Sequence, residues 1–281
     1  MQVRALPYLL LAPAAVFLVI FFLYPAVDVA IQAFTSDGEW TWANFDQMVS
    51  HWKFNTALWN TLLLALIVVP LQLALSLFMA TMVTKMKRGR DLILYIWTIP
   101  LGISDLAAGI IWLAILEQNG FLNSALYGLG VIDSPTTYLS YQNPFVLLIA
   151  VAIAEIWRST AIVLVILVAG MGLIPKEYYE AAEVFGAGPW KRFVKITLPM
   201  MRPSLQTALI LRTILAFEVF AVVIALAGVQ MPILMGEVYE WEFRLRESGV
   251  ASAYALVILG ISIAFTIFFL WVLRTPKEAR V

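Results

Sequence analysis

Along the chain, long apolar runs alternate with short polar stretches in which most of the charged residues gather. The runs recur at about Tyr8 to Ala33, Leu58 to Met82, Leu92 to Leu116, Pro144 to Ala169, Leu205 to Ala227 and Ala251 to Leu273. A helix rises about 1.5 Å per residue, so roughly 20 apolar residues cross a hydrocarbon core about 30 Å thick. The runs are too long and too continuously apolar for barrel strands, and backbone groups in lipid must be satisfied within each segment. The pattern therefore predicts an all-α integral membrane protein with six transmembrane helices and both termini on one side. The first run carries no charge from Ala5 to Val27, which favours a retained helix over a cleaved signal despite Arg4 and the small residues Ala12 to Ala15.

Composition supports this class: of 281 residues, 62% are apolar and 13% charged, far from a soluble domain. Cysteine is absent and His51 is the single histidine, which excludes disulfides, thiolate metal sites and haem held by paired histidines. Net charge is near zero with no basic arm, so nucleic acid is not an expected partner.

Lys and Arg set the orientation. Arg4, then Lys85, Lys87, Arg88 and Arg90, then Lys176, Lys191, Arg192, Lys195 and Arg202, then Arg274, Lys277 and Arg280 fall on the side of the termini. The opposite side holds Lys53, Arg244 and Arg246, so the termini and the loop near residue 180 are expected in the cytoplasm, in a multi-pass protein of the cell membrane. The external loops carry Asp37, Glu39, Asp46, Asp133, Glu237, Glu240 and Glu242, read as solvated faces or as contacts for an external protein.

The stretch from Pro175 to Phe185 reads as a short helix, with Pro at its start and Glu177 and Glu180 in its early turns, favourable at the positive helix end. Gly186 and Gly188 stop it. Pro189 opens a second short helix that returns through Phe193, Ile196 and Leu198, with Pro199 and Pro203 setting the angle of return. Ala181 and Ala182 leave little bulk on one face, and Glu180 offers an acceptor for an Arg or Lys. Residues alone leave open a loop lying on lipid headgroups, supported by Trp190, Lys191, Arg192 and Lys195.

The run Glu180-Ala181-Ala182, three residues, Gly186-Ala187, then Phe193, Ile196, Leu198-Pro199 and Pro203 resembles the EAA loop of ABC importer permeases. Similarity to the sugar-uptake class extends to Pro7-Tyr8, Phe22 to Pro25, Asn60-Thr61, Pro100, Ala107 to Trp112 and Glu155 to Thr160. The resemblance implies an ABC importer type I permease fold, without chemistry of its own, that moves a mono- or disaccharide by alternating access. It also implies the partners: a second homologous permease, two ATPase subunits and an extracellular or periplasmic substrate-binding protein. Glu180, Ala181, Ala182, Glu183, Gly186, Leu198 and Pro199 would then dock in a cleft of the ATPase. Phe185 departs from the family, where Asp is common at that position. The chain lacks a G-x-x-x-x-G-K-[ST] loop, so ATP and Mg are expected on a separate subunit and no cofactor on this one.

Asp105, Glu155, Arg158, Arg212 and Glu218 fall inside apolar runs, where each charge costs at least a few kcal/mol unless it faces protein or water. Glu155, Arg158, Ser159 and Ile162 share one helical face, and Arg212, Leu215, Ala216 and Val219 repeat the spacing on the next run. The family resemblance implies that Ser104, Glu155, Arg158, Ser159, Arg212, Leu215, Ala216 and Val219 contribute to a sugar site, and Asp105 joins them as an intramembrane charge. Glu155 with Arg158 reads equally as cavity lining or as an ion pair, while Glu218 with Arg212 reads as a pair. Trp112, Trp157, Phe217 and Phe220 are candidates to stack on a pyranose or to pack. The expected organisation is a first helix and external loop over residues 1–57, then a five-helix core over 58–281 with the coupling loop at 170–203. A polyol, glycerol phosphate or oligopeptide permease, or an ion-coupled carrier, is the alternative.

Overall fold

The computed structural model describes residues 6–274, with side chains from Tyr8; Arg4, Lys277 and Arg280 lie outside the described residues. Helix α1 (Leu6–Leu18) runs through a π-turn at Val19–Leu23 into α2 (Tyr24–Ala33). Pro25 cannot donate to Phe21, and the chain absorbs the loss by widening: Tyr24 N–H reaches Val19 O. A small hairpin, β1 (Thr35–Ser36) with β2 (Glu39–Trp40), turns at Asp37-Gly38, both with positive φ. Helix α3 (Ala43–Ser50) follows, and its Asn44 amide caps the end of α2 by donating to the carbonyls of Gln32, Ala33 and Thr35 at 3.0–3.2 Å.

Helix α4 (Phe54–Lys85) is unbroken over 32 residues. The third apolar run is not one helix: α5 (Arg90–Thr98) passes into a 3₁₀ turn at Ile99–Gly102, the chain bends by 100°, and α6 (Asp105–Leu116) sets off, followed by α7 (Phe121–Gly128). Pro100 and Gly102 weaken the helix there, and Ser104 caps the new one by accepting from Ala107 N–H at 3.3 Å. Helix α8 (Pro144–Gly172) is again continuous. The polar loop forms α9 (Lys176–Val184), α10 (Pro189–Arg192), a π-turn at Phe193–Thr197 and α11 (Leu198–Met200). Pro199 widens this turn as Pro25 does the first, with Leu198 N–H bonded to Phe193 O.

The fifth run is broken as well. Helix α12 (Arg202–Phe217) ends at Glu218, and α13 (Ala221–Ala227) continues at 48° to it, with a 3₁₀ turn at Gly228–Gln230. Helix α14 (Leu234–Tyr239), a π-turn at Glu240–Leu245 and α15 (Ser248–Val272) complete the chain. Among the described residues, four helices are thus long and apolar enough to span a membrane, six when each bent pair counts as one span. Asp105 and Glu218, read from the sequence as charges within spans, sit at the breaks of the two bent ones.

Helices α4 and α8 form the centre, stitched by Gln72 Nε2 donating to Glu155 O at 2.8 Å and Ser76 Oγ to Thr160 O at 3.1 Å. Helix α12 packs on α4, α8 and α15, while α2 lies against α15. The second halves of the two broken spans pair with each other: α6 rests on α13 where a Cβ at Gly109 would stand 2.5 Å from Ala225 Cβ. That closeness needs glycine.

Candidate functional site

Four helices meet at one chain of charges. Glu155 on α8 accepts through Oε1 from Arg212 on α12 at 2.8 Å, from Ser159 Oγ at 2.9 Å and from Arg158 at 3.1 Å. Arg212 Nε also donates to Gln72 Oε1 on α4, and Arg158 reaches Asp105 Oδ1, at the start of α6, at 2.7 Å. Two carboxylates and two guanidiniums make a neutral set, which is how charge persists at membrane depth.

Exposure changes sharply along this chain. Glu155 and Arg212 are each 1% exposed, whereas the side chains of Arg158 and Asp105 are 18% and 50% exposed. The inner pair ties α8 to α12; the outer pair is accessible and lies beside the break before α6. Arg212 Nη1, Trp112 Nε1 and Thr213 Oγ1 are buried without a hydrogen-bond partner among the described residues.

Asp105, Glu155, Arg158, Ser159 and Arg212 come together, and Ser104 precedes Asp105 as the cap of α6, but the rest of the expected set does not join them. Leu215 is half-buried, and Ala216 and Val219 pack into the apolar core. The pairing of Arg212 with Glu218 is corrected: Arg212 donates through Nε to Gln72 and through Nη2 to Glu155, and Glu218 stands exposed at the end of α12. Phe217 is buried against Phe265, which removes it as a stacking surface, while Trp112 and Trp157 meet edge to face at 6.1 Å. Sequence reasoning missed Gln72, although a lone amide between Leu71 and Leu73 in an apolar run was a visible signal.

The loop between α8 and α12 is a separate construction. Helix α9 closes with Gly186 N–H bonded to Glu183 O at 2.9 Å and Ala187 N–H to Ala182 O at 2.8 Å, a cap that puts Gly186 at φ +71°. Glu183 pairs with Arg192 on α10, and Tyr179 shares a hydrogen bond with Thr197 at 3.0 Å. Glu180 and Ala181 are exposed, Ala182 and Leu198 half-buried, and Pro199 exposed. The tip is apolar: Val184 and Phe185 are 85% and 86% exposed.

At the opposite end, Glu237 on α14 is buried rather than solvated, with His51 Nδ1 at 3.7 Å and Lys53 Nζ at 3.9 Å. Burial pushes the Glu237 carboxyl up, partly offset by Lys53, and burial with Lys53 pushes His51 down. Among the described residues, no three His, Cys, Asp or Glu side chains lie close enough to hold a metal ion.

The chain belongs to the family of binding-protein-dependent transport system inner membrane components, whose model matches residues 72–277. It is a transport permease of the ABC type. It is 30% identical to a probable ABC transporter permease of Brucella suis, covering 99% of this chain and all of that one. Against the sulfoquinovosyl glycerol transport system permease of Agrobacterium fabrum it is 31% identical, covering 97% and 91%. Against the trehalose/maltose transport system permease of Thermococcus litoralis it is 30% identical, covering 84% and 80%. Its fold matches a bacterial ABC transporter involved in import of the acidic polysaccharide alginate, with TM-score 0.84, 20% identity and coverage of 98% and 97%. A second structure holds that transporter with an alginate pentasaccharide-bound periplasmic protein, with TM-score 0.83, 21% identity and coverage of 96% and 95%.

Proposed function

We propose that the chain forms, with a second homologous permease, the translocation path of an ATP-driven sugar importer. The observation that carries this reading is the charged chain from Asp105 to Arg212, placed where one broken span meets the central helices. Broken helices leave unpaired backbone groups at membrane depth, which are tolerable where they line a cavity. The accessible pair Asp105 and Arg158 offers acceptors and donors suited to sugar hydroxyls, beside Ser104 and Ser159. The carbohydrate names of several relatives support this choice. A glycerol phosphate permease, named among the relatives, fits less well, since Arg158 is already neutralised by Asp105 and Glu155.

The sequence lacks a G-x-x-x-x-G-K-[ST] loop, which supports a separate ATPase, carrying ATP and Mg, that drives the chain through the α9 loop. Glu180, Ala181, Ala182, Glu183 and Gly186 form the inserted element, with Leu198 and Pro199 at its root. The basic residues on the loop side support cytoplasmic termini. A substrate-binding protein delivers sugar from outside, and lipid surrounds α1, whose side chains from Tyr8 on are exposed.

The test is co-purification with the permease, ATPase and binding protein encoded nearby, followed by ATPase assays with the binding protein loaded from a panel of solutes. Stimulation by a sugar is expected. Stimulation only by glycerol phosphate or peptides would overturn the sugar reading, and no co-purifying ATPase would overturn the coupling.

A further inference from the structure

Between α9 and the bundle lies an open cavity of about 600 Å³, lined by the end of α4, the start of α5, the end of α8, and by α9, α10 and the π-turn after it. Lys85, Arg90, Lys176 and Arg192 face it, from four different helices. Its single lining carboxylate, Glu183, is spent on Arg192. Lys85, Arg90 and Lys176 make no ion pair among the described residues. Thr197 and Tyr179 share one hydrogen bond at its wall, which leaves one hydroxyl proton unspent. Met171, Ile174 and Phe193 supply an apolar side.

A bias of cations on one membrane side requires no cavity. Here four cations from four helices line one open cavity; Lys85, Arg90 and Lys176 are exposed, so water screens their mutual repulsion, but an anion seated among them would be attracted by all of them at once. One carboxylate would neutralise only one; a phosphate group offers several acceptor oxygens to donors arriving from several directions. Basic pockets at this membrane level suit headgroups.

We propose that this cavity binds a phosphate-bearing anion, an acidic lipid headgroup or free phosphate, and so ties the α4–α5 turn to the α9 loop. The binding itself stands apart from the transport reading; only its regulatory consequence, a brace on the ATPase contact, rests on it.

The experiment uses the full transporter in phosphatidylcholine nanodiscs, with phosphatidylglycerol or inorganic phosphate added in separate arms. Lysine acetylation by a water-soluble reagent is followed by peptide mass spectrometry. A bound anion slows labelling of Lys85 and Lys176 by the factor 1 + [L]/Kd, about tenfold once ligand stands near 10 Kd. Lys87 and Lys191, which do not line the cavity, should label at unchanged rates. Protection by phosphatidylglycerol alone identifies a lipid, and protection by phosphate alone a soluble anion. Arg90→Gln should abolish protection of Lys176, while Lys87→Gln/Arg88→Gln, which removes two charges outside the cavity, should preserve it. Equal labelling of all four lysines with either anion overturns the proposal, as does protection that depends only on the ATPase subunit. Because labelling reads occupancy and not uptake, a wrong substrate assignment would leave this result untouched.

Discussion

Arg212 and Glu155 stand 57 residues apart in sequence and 2.8 Å apart in the bundle, each about 1% exposed. Their contact joins α12 to α8, the two helices that flank the α9 loop. Removing one partner of a buried pair leaves an uncompensated charge and costs about 3–5 kcal/mol, whereas removing both is often near neutral. Glu155→Gln or Arg212→Gln should therefore each lower thermal stability and assembly, and the double variant should recover much of both. A double-mutant cycle in detergent measures the coupling. Additive losses would show that the pair is not the joint.

The outer pair should behave differently. Asp105→Asn and Arg158→Gln touch accessible side chains, so the complex should assemble while uptake falls. A hydrogen bond to a charged group contributes about 1.5–3 kcal/mol, and each ~1.4 kcal/mol is tenfold, giving roughly a 10- to 100-fold rise in the sugar concentration needed for half-maximal uptake. Initial uptake rates over a sugar titration check this; unchanged kinetics would remove both residues from the site.

The loop tip makes a third case. Glu180→Lys should abolish substrate-stimulated ATP hydrolysis with membrane insertion intact, because it reverses charge at the contact. Phe185→Ser should weaken ATPase retention about 10- to 100-fold, since fully burying a Phe is worth about 1.5–3 kcal/mol. Pull-down of the ATPase at several salt concentrations distinguishes the two contributions.

Orientation is checked by labelling, which the absence of cysteine makes clean. A cysteine at Lys87 or Lys191 should be protected from impermeant maleimide in intact cells, and one at Asp133 or Arg244 should be labelled. The reverse pattern would place the α9 loop outside.

The buried carboxyl at the opposite end predicts a pH effect. Burial raises the Glu237 pKa, so the fold favours the protonated form; that contribution is full below the usual value of 4.5 and lost as pH rises through the raised one. Glu237→Gln should therefore melt higher than the parent at neutral pH, with the gap closing as pH falls toward 4.5. His51 has the opposite sign: its contribution is present above 6.5 and lost as pH falls through its lowered pKa. His51→Gln separates the two arms in the same melting series.

What the sequence determined by itself was the membrane class, the positions of the apolar runs and the α9 loop. These follow from local properties: hydropathy over about 20 residues, a Pro at a helix start, a Gly with positive φ at its end. The importer family was legible for the same reason, as its signature is a short contiguous stretch. Tertiary structure alone decided where the spans break and which charges pair. Pro100 and Gly102 hint at the first break, but no proline or glycine marks the one at Glu218 to Phe220, where the packing of α13 on α6 holds the bend. Partner choice was equally out of reach from spacing along one helix: Glu218, six residues on, falls about 120° around the helix from Arg212, and the low dielectric of the bundle rewards whichever opposite charge the neighbouring helices bring closest. That charge is Glu155, with Gln72 beside it.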